Sequence, residues 1–375
     1  MSNLCVICED EILEGYNDTE EHIIPNAIGG FVKVTGFICN GCNRKTGSSW
    51  DAELAKQLSS LGLMLDIKRE RGEPKSMKFE TISGKSIRLD KEGKMELAIP
   101  ELEEIPTKNG MRIKARTGNM FQAEQLLKGM KRKYKNASLD SSVLGAVSEP
   151  SEPIMVNINF GGNNAGRSLI KSCLALIHYH DYPTTECLRA INYLKGDDTN
   201  PPFGYYYTSD PIVNRAIGIP LHCIYVRGVK DTGQVIAYVE YYGFKRMLAH
   251  LSDGYTGDDF EVNYSVNPLT GETLEIKIDL SLTSGLLDEV LDYKHYDSEK
   301  MRDALAPIVQ RTQEISFEKY KNKHIENVIF EAFEHFGVKP GEALQDENRE
   351  EFFGIITMKL AEFYAEHMVH QEPKQ

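Results

Sequence analysis

Four cysteines in two C-x2-C pairs, Cys5/Cys8 and Cys39/Cys42, bracket a Glu21-His22 dipeptide. Thiolates in doubled knuckles suit tetrahedral zinc. A carboxylate beside an imidazole suits metal-assisted hydrolysis of a phosphodiester: the imidazole accepts a proton near neutral pH, and the carboxylate holds a hard cation. The stretch between the pairs reads Glu21-His22-Ile23-Ile24-Pro25-Asn26-Ala27-Ile28-Gly29-Gly30, and Asn43-Arg44-Lys45-Thr46-Gly47 follows the second pair. Doubling of the pairs, with an acid and an imidazole between them, weighs against a redox C-x-x-C and for structural zinc at Cys5, Cys8, Cys39 and Cys42.

These residues need a scaffold. The wide gap between the knuckles leaves room for a β-hairpin whose first strand carries Glu21 and His22. Ser48-Ser49-Trp50-Asp51 fits a capping box, with Asp51 assigned to capping, and Leu54, Leu58, Leu61 and Leu65 then recur at helical spacing. Such a unit is too small for a large core, so a metal cross-link is expected to hold it folded. Gly72 to Ser76 reads as a breaker and linker.

Beyond it, alternating stretches at 77–80, 86–89 and 111–115 predict strands, 121–135 a basic helix, and 154–160 another strand. A Gly-rich loop at 161–166 leads into a helix over 167–179, and a second helix covers 185–194. Strands are expected near 212–226, 235–242, 260–266 and 273–278, then helices over 300–312, 325–336 and 348–367. The fold class is therefore α+β, in three parts: residues 1–72 with the zinc, a mixed α/β module at 76–285 for sensing or DNA positioning, and a helical region at 286–375.

The first part resembles the HNH endonuclease family, a ββα-metal fold of two strands and a helix around one divalent cation. The resemblance rests on Cys5-x2-Cys8, Glu21-His22-Ile23-Ile24-Pro25, Gly29-Gly30, Cys39-x2-Cys42-Asn43-x3-Gly47 and Asp51, and covers about the first sixty-five residues. It implies that His22 is the general base, and that Glu21 and Asn43 hold a catalytic Mg2+ or other divalent cation. The family's middle Asn is missing from the segment Phe31 to Ile38. The role of orienting the catalytic His is left to a backbone group, Thr35 or Asn40.

The net charge of −13 argues against a passive nucleic-acid coat, but not against an enzyme that engages DNA through one face. Residues Arg112 to Lys135 hold eight basic side chains against Glu124 alone, and Lys68, Arg69, Arg71 and Lys75 form a second cluster. Arg44, Lys45, Lys128, Lys131, Arg132 and Lys133 are the expected DNA-backbone contacts. Composition, 41% hydrophobic and 26% charged, is that of a soluble globular chain, and no apolar run reaches membrane-spanning length. Without a secretory signal a cytoplasmic location is expected, with Cys173, Cys187 and Cys223 as small buried hydrophobes.

Two other motifs weigh less. Gly161 to Ser168 is close to a phosphate-binding loop, but Arg167 stands where that mechanism needs Lys. His178-Tyr179-His180-Asp181 sits at a helix end, where alternate residues point apart. The reading is thus a cytoplasmic DNA endonuclease, similar in arrangement to bacterial defence and restriction nucleases, including effectors activated by a small nucleotide. A homodimer would suit cutting both strands. The rival is a non-catalytic zinc module that binds nucleic acid or a protein.

Overall fold

The computed structural model describes residues 4–108, 110–134, 152–282, 285–339 and 341–368. It divides into two compact units, Met1–Thr312 and Gln313–Gln375. Among the described residues no helix is long and apolar enough to cross a membrane.

In the first unit the expected hairpin forms from two short strands. Strand β1 (Glu21–His22) pairs antiparallel with β2 (Lys33–Val34), Glu21 opposite Val34 and His22 opposite Lys33. Gly29 and Gly30 are needed in the connection: Gly29 has φ 95°, and a Cβ on Gly30 would lie 1.7 Å from the Ile24 carbonyl oxygen. Cys39 caps helix α1 (Asn40–Thr46), which runs through one π-helical turn (Gly47–Asp51) into α2 (Ala52–Met64). The capping box expected at 48–51 does not form. The helix is continuous there, and the Ser48 and Ser49 hydroxyls both donate back to the Lys45 carbonyl, at 3.1 and 2.7 Å. The leucine face behaves as its spacing requires, with Leu54, Leu58, Leu61 and Leu65 all buried.

Strands β3 (Met77–Thr81), β4 (Ser86–Leu89), β5 (Met95–Leu97) and β8 (Ile154–Met155) form a sheet in the order β5-β4-β3-β8. Between β5 and β8 lie a separate hairpin, β6 (Glu101–Thr107) with β7 (Gly110–Arg116), and helix α3 (Met120–Lys133). Cross-strand register sets Glu101 opposite Arg116 and Glu103 opposite Lys114. The basic run that looked unopposed in sequence is therefore offset on β7 by acids of β6. Lys135 lies outside the described residues.

A five-stranded antiparallel sheet, ordered β13-β10-β11-β12-β9, forms the main core: β9 (Phe203–Tyr205), β10 (His222–Val229), β11 (Gln234–Tyr241), β12 (Lys245–Ser252) and β13 (Phe260–Val266). Helix α4 (Asn163–Tyr179) packs between β10 and the π-turn and α2 of the cysteine-knuckle part, and α5 (Leu188–Lys195) lies against β12. Strand expectations were weakest here. Residues 154–160 yield only two strand residues, 273–278 make only isolated bridges, and β9 and β12 lacked a clear alternating signal because both faces of β12 are covered. Helix α6 (Leu286–Leu291) follows the sheet. The two helices expected at 300–312 and 325–336 are one, α7 (Ser298–His335), with Pro307 inside it.

In the second unit, the part of α7 from Gln313 onward and α8 (Arg349–Met368) meet through aromatic rings. Phe363 stacks on His324 at 4.3 Å and Phe352 meets Phe333 at 4.7 Å.

One buried histidine ties the β1–β2 connection to the sheet. His222 Nε2 donates to the Ile28 carbonyl at 2.7 Å, and its Nδ1 accepts from the Tyr242 N–H at 3.3 Å. Burial pushes its pKa down to about 4. The folded state therefore needs the neutral ring. Its contribution is complete above the unfolded value near 6.5 and is lost as pH falls toward 4, an acid penalty of about 3 kcal/mol. Urea denaturation from pH 7 to 4.5 should show this slope, and His222→Gln should flatten it. An equally steep slope in that variant would remove His222 as the cause.

Candidate metal centre and acid–base site

The four knuckle sulfurs all lie within 4.8 Å of one another, with Cys8 Sγ 3.7 Å from Cys39 Sγ. A tetrahedral zinc with bonds near 2.3 Å spaces its sulfurs by about 3.8 Å, so the donor set fits zinc in number, type and spacing. The first knuckle turns back on itself, with the Glu9 N–H donating to the Cys5 carbonyl at 2.9 Å, and the Val6 N–H reaches the Phe37 carbonyl at 3.2 Å beside the second knuckle. Cys173, Cys187 and Cys223 are buried elsewhere, as expected of small hydrophobes. Among the described residues the four cysteines are the one group of three or more His, Cys, Asp or Glu side chains close enough to share an ion.

On β1 consecutive side chains point to opposite faces. His22 takes one face. Its Nε2 lies 2.8 Å from Glu70 Oε2, and the other oxygen of Glu70 accepts from Lys33 Nζ at 2.6 Å. Burial holds His22 below its ordinary pKa against the pull of Glu70, so the ring is neutral at neutral pH. Glu70 is drawn down to about 2 by its hydrogen bonds from Lys33 first and from His22 second. The two shifts agree, because Lys33 rather than a charged imidazole is its main cationic partner.

Glu21 takes the other face and is buried. Lys171, from α4, donates to Glu21 Oε1 and also to Asp51 Oδ2 at 2.6 Å, while Ser168 Oγ donates to Asp51 Oδ1 at 2.6 Å. Asp51 is therefore no helix cap but half of a carboxylate pair bridged by an ammonium. Burial opposes charge on Lys171, but Asp51 and Glu21 outweigh it and hold the ammonium above its ordinary pKa. Asn43 stands nearby: its Oδ1 and Asp51 Oδ2 lie 3.9 and 4.0 Å from the point where Gly47 would carry a Cβ. Its Nδ2 donates to Thr19 Oγ1 at 3.1 Å.

Glu21, Asn43 and Asp51 offer hard oxygens, the right chemistry for Mg2+. The Lys171 ammonium already bonds both carboxylates, so a divalent cation held by Glu21 and Asn43 would have to compete with it. The structure joins Glu21 to Asp51 through Lys171, brings Asn43 and Asp51 toward Gly47, and pairs His22 with Glu70.

Sequence reasoning missed Glu70 and Lys171. Glu70 hides among Lys68, Arg69 and Arg71, a run read as a basic cluster, and nothing local marks it. Lys171 did leave a signal, since it interrupts an apolar helix face, and a buried ammonium needs an acid.

The remaining motifs are used for packing. Gly161 exchanges two hydrogen bonds with the Gln57 side chain, at 2.8 and 2.9 Å, and the Arg167 guanidinium lies over the Trp50 ring at 5.8 Å. The Gly-rich loop thus docks α4 on α2. His178 Nε2 bonds the Thr35 carbonyl at 3.2 Å, and its ring meets Phe37 at 5.7 Å. Arg44 and Lys45 are exposed on α1, and Lys128, Lys131, Arg132 and Lys133 are exposed on α3.

Residues 5–59 match the HNH endonuclease family model. No curated protein and no solved structure matches the chain.

Proposed function

We propose, from the HNH endonuclease domain at residues 5–59, that this protein is a nuclease hydrolysing DNA phosphodiester bonds with His22 as general base. The observation that supports this most is the neutral, half-buried His22 ring, held through one nitrogen by a carboxylate. Its other nitrogen is free of that bond to take a proton from water as the water oxygen attacks phosphorus. The phosphorus–oxygen bond to the leaving group then breaks, and the leaving oxygen takes a proton from solvent. Arg44 and Lys45 on α1, with Lys128, Lys131, Arg132 and Lys133 on α3, are proposed to meet backbone phosphates, so binding should weaken steeply with salt. No step is assigned to a catalytic cation; Glu21, Asn43 and Asp51 are the residues that would hold one, and the Lys171 ammonium bonds both of the carboxylates.

His22→Ala is expected to lower plasmid nicking by about 10²- to 10⁴-fold, the usual share of a general base. Cleavage by the variant at the parental rate would remove His22 as base. Zinc content and thermal melting of the same preparation should stay unchanged, which separates lost chemistry from lost fold.

A second reading, gating by a small nucleotide, draws on a cavity of about 460 Å³ in the first unit, lined by Tyr207, Arg215, Arg246, Lys300 and Ile308 among others. Arg215 there is held by Asp210 and Glu240, and Arg246 by Asp210 at 3.1 Å. A rise in melting temperature with a nucleotide, abolished by Lys300→Ala, would favour it. Unchanged melting across nucleotide mixtures would count against it.

A further inference from the structure

We infer that Glu70 is the positioning residue of the acid–base site, fixing the His22 ring so that Nε2 carries the hydrogen and Nδ1 the lone pair. This rests on the proposal that His22 is the base. A carboxylate only accepts hydrogen bonds, so the 2.8 Å contact of Glu70 Oε2 with Nε2 puts the proton on that nitrogen. A neutral imidazole then has its single acceptor at Nδ1, and the same bond sets the rotation of the ring.

An exposed His–Glu contact is often no more than a weak surface ion pair. Glu70 differs because it is built into the hairpin from three directions. Lys33, directly opposite His22 in the β1–β2 register, binds its second oxygen at 2.6 Å and reaches Glu20 Oε2 at 3.0 Å. The Glu70 N–H donates to Asn26 Oδ1 at 2.8 Å, and Asn26 Nδ2 donates to the Arg71 carbonyl at 3.1 Å. Asn26, four residues beyond His22, therefore clasps the backbone on both sides of the Glu70 carbonyl carbon. Glu70 is delivered to the ring by a segment 48 residues away in sequence. Thr35, a candidate for this role from sequence, has its carbonyl taken by His178. Asn40 is bonded through its backbone N–H to the Asn17 carbonyl at 2.8 Å, and neither residue supplies the ring's partner.

The test uses the full chain with Glu70→Ala, Glu70→Gln and His22→Ala, and reads imidazole 15N shifts as well as cleavage. The His22 signal is identified by its loss in His22→Ala. In the parent His22 should show the Nε2–H tautomer. In Glu70→Ala the two tautomers should mix, and kcat should fall about 10- to 100-fold with KM unchanged. Glu70→Gln, whose Oε1 still accepts from Nε2–H, should keep the parental tautomer and recover most of kcat. An Nδ1–H tautomer in the parent, or a tautomer unchanged in Glu70→Ala, overturns the inference whether or not cleavage is detected. A Glu70→Ala loss confined to KM also overturns it. Undiminished cleavage by His22→Ala would instead bring down the general-base reading on which it stands.

Discussion

Cys39→Ser is expected to unfold the zinc-bearing part of the chain, with loss of bound zinc and of amide protection through α1 and the β1–β2 hairpin. Cys39 does more than donate a thiolate. It is the residue from which α1 starts, its carbonyl accepts from the Asn43 N–H at 2.8 Å, and it follows the buried Phe37 and Ile38. Serine could still occupy a helix N-cap, but its oxygen is a poor substitute for a soft thiolate on zinc. Structural zinc in small domains contributes on the order of 10 kcal/mol of binding free energy that is also folding free energy. The hairpin itself has only two residues per strand, too few for independent stability. Zinc stoichiometry and hydrogen exchange check this. A variant that retains zinc and protects α1 as the parent does would show that the apolar core alone suffices.

Lys171→Met should destabilise the first unit by about 3–5 kcal/mol, the cost of leaving buried carboxylates without their cation. The ammonium is enclosed and bonded to both Glu21 and Asp51, which lie on β1 and at the end of the π-turn. With both acids ionised the cluster already carries one surplus negative charge, and burial pushes the Glu21 pKa up in response. Removing the bridging ammonium leaves two adjacent acids in a low dielectric. Glu21→Gln in the Lys171→Met background should restore part of the loss, because an amide needs no counter-charge. Urea denaturation of the single and double variants measures both effects. A loss under about 1 kcal/mol would mean that water or side-chain rearrangement relieves the pair. The same contact bears on the residues that match the HNH endonuclease family model. A fragment ending at Gly72 would lack α4, and Glu21 and Asp51 would face solvent without Lys171.

Much of the local structure was legible because it depends on near neighbours. The knuckle spacing announced the four-sulfur cluster, and the leucines at 54, 58, 61 and 65 announced a buried helix face. The hairpin carrying Glu21 and His22 followed from the room between the knuckles. Where the reading failed, a longer-range effect won. The Ser48–Asp51 segment has the composition of a helix start, yet a helix already running through it left no N–H groups to cap. Strand β12 offered no alternation because it is buried along nearly its whole length against its sheet neighbours, α5 and α6.

By itself, then, the amino-acid sequence determined the four-thiol donor set and singled out the histidine beside Glu21, since ligand type and knuckle spacing are properties of adjacent residues. Only the tertiary structure decided which acid that histidine meets and which acid it does not. A strand sends neighbouring side chains to opposite faces, so Glu21, next to His22 in the chain, is turned toward Lys171, 150 residues away. Glu70, distant and hidden among basic residues, is folded back onto the ring.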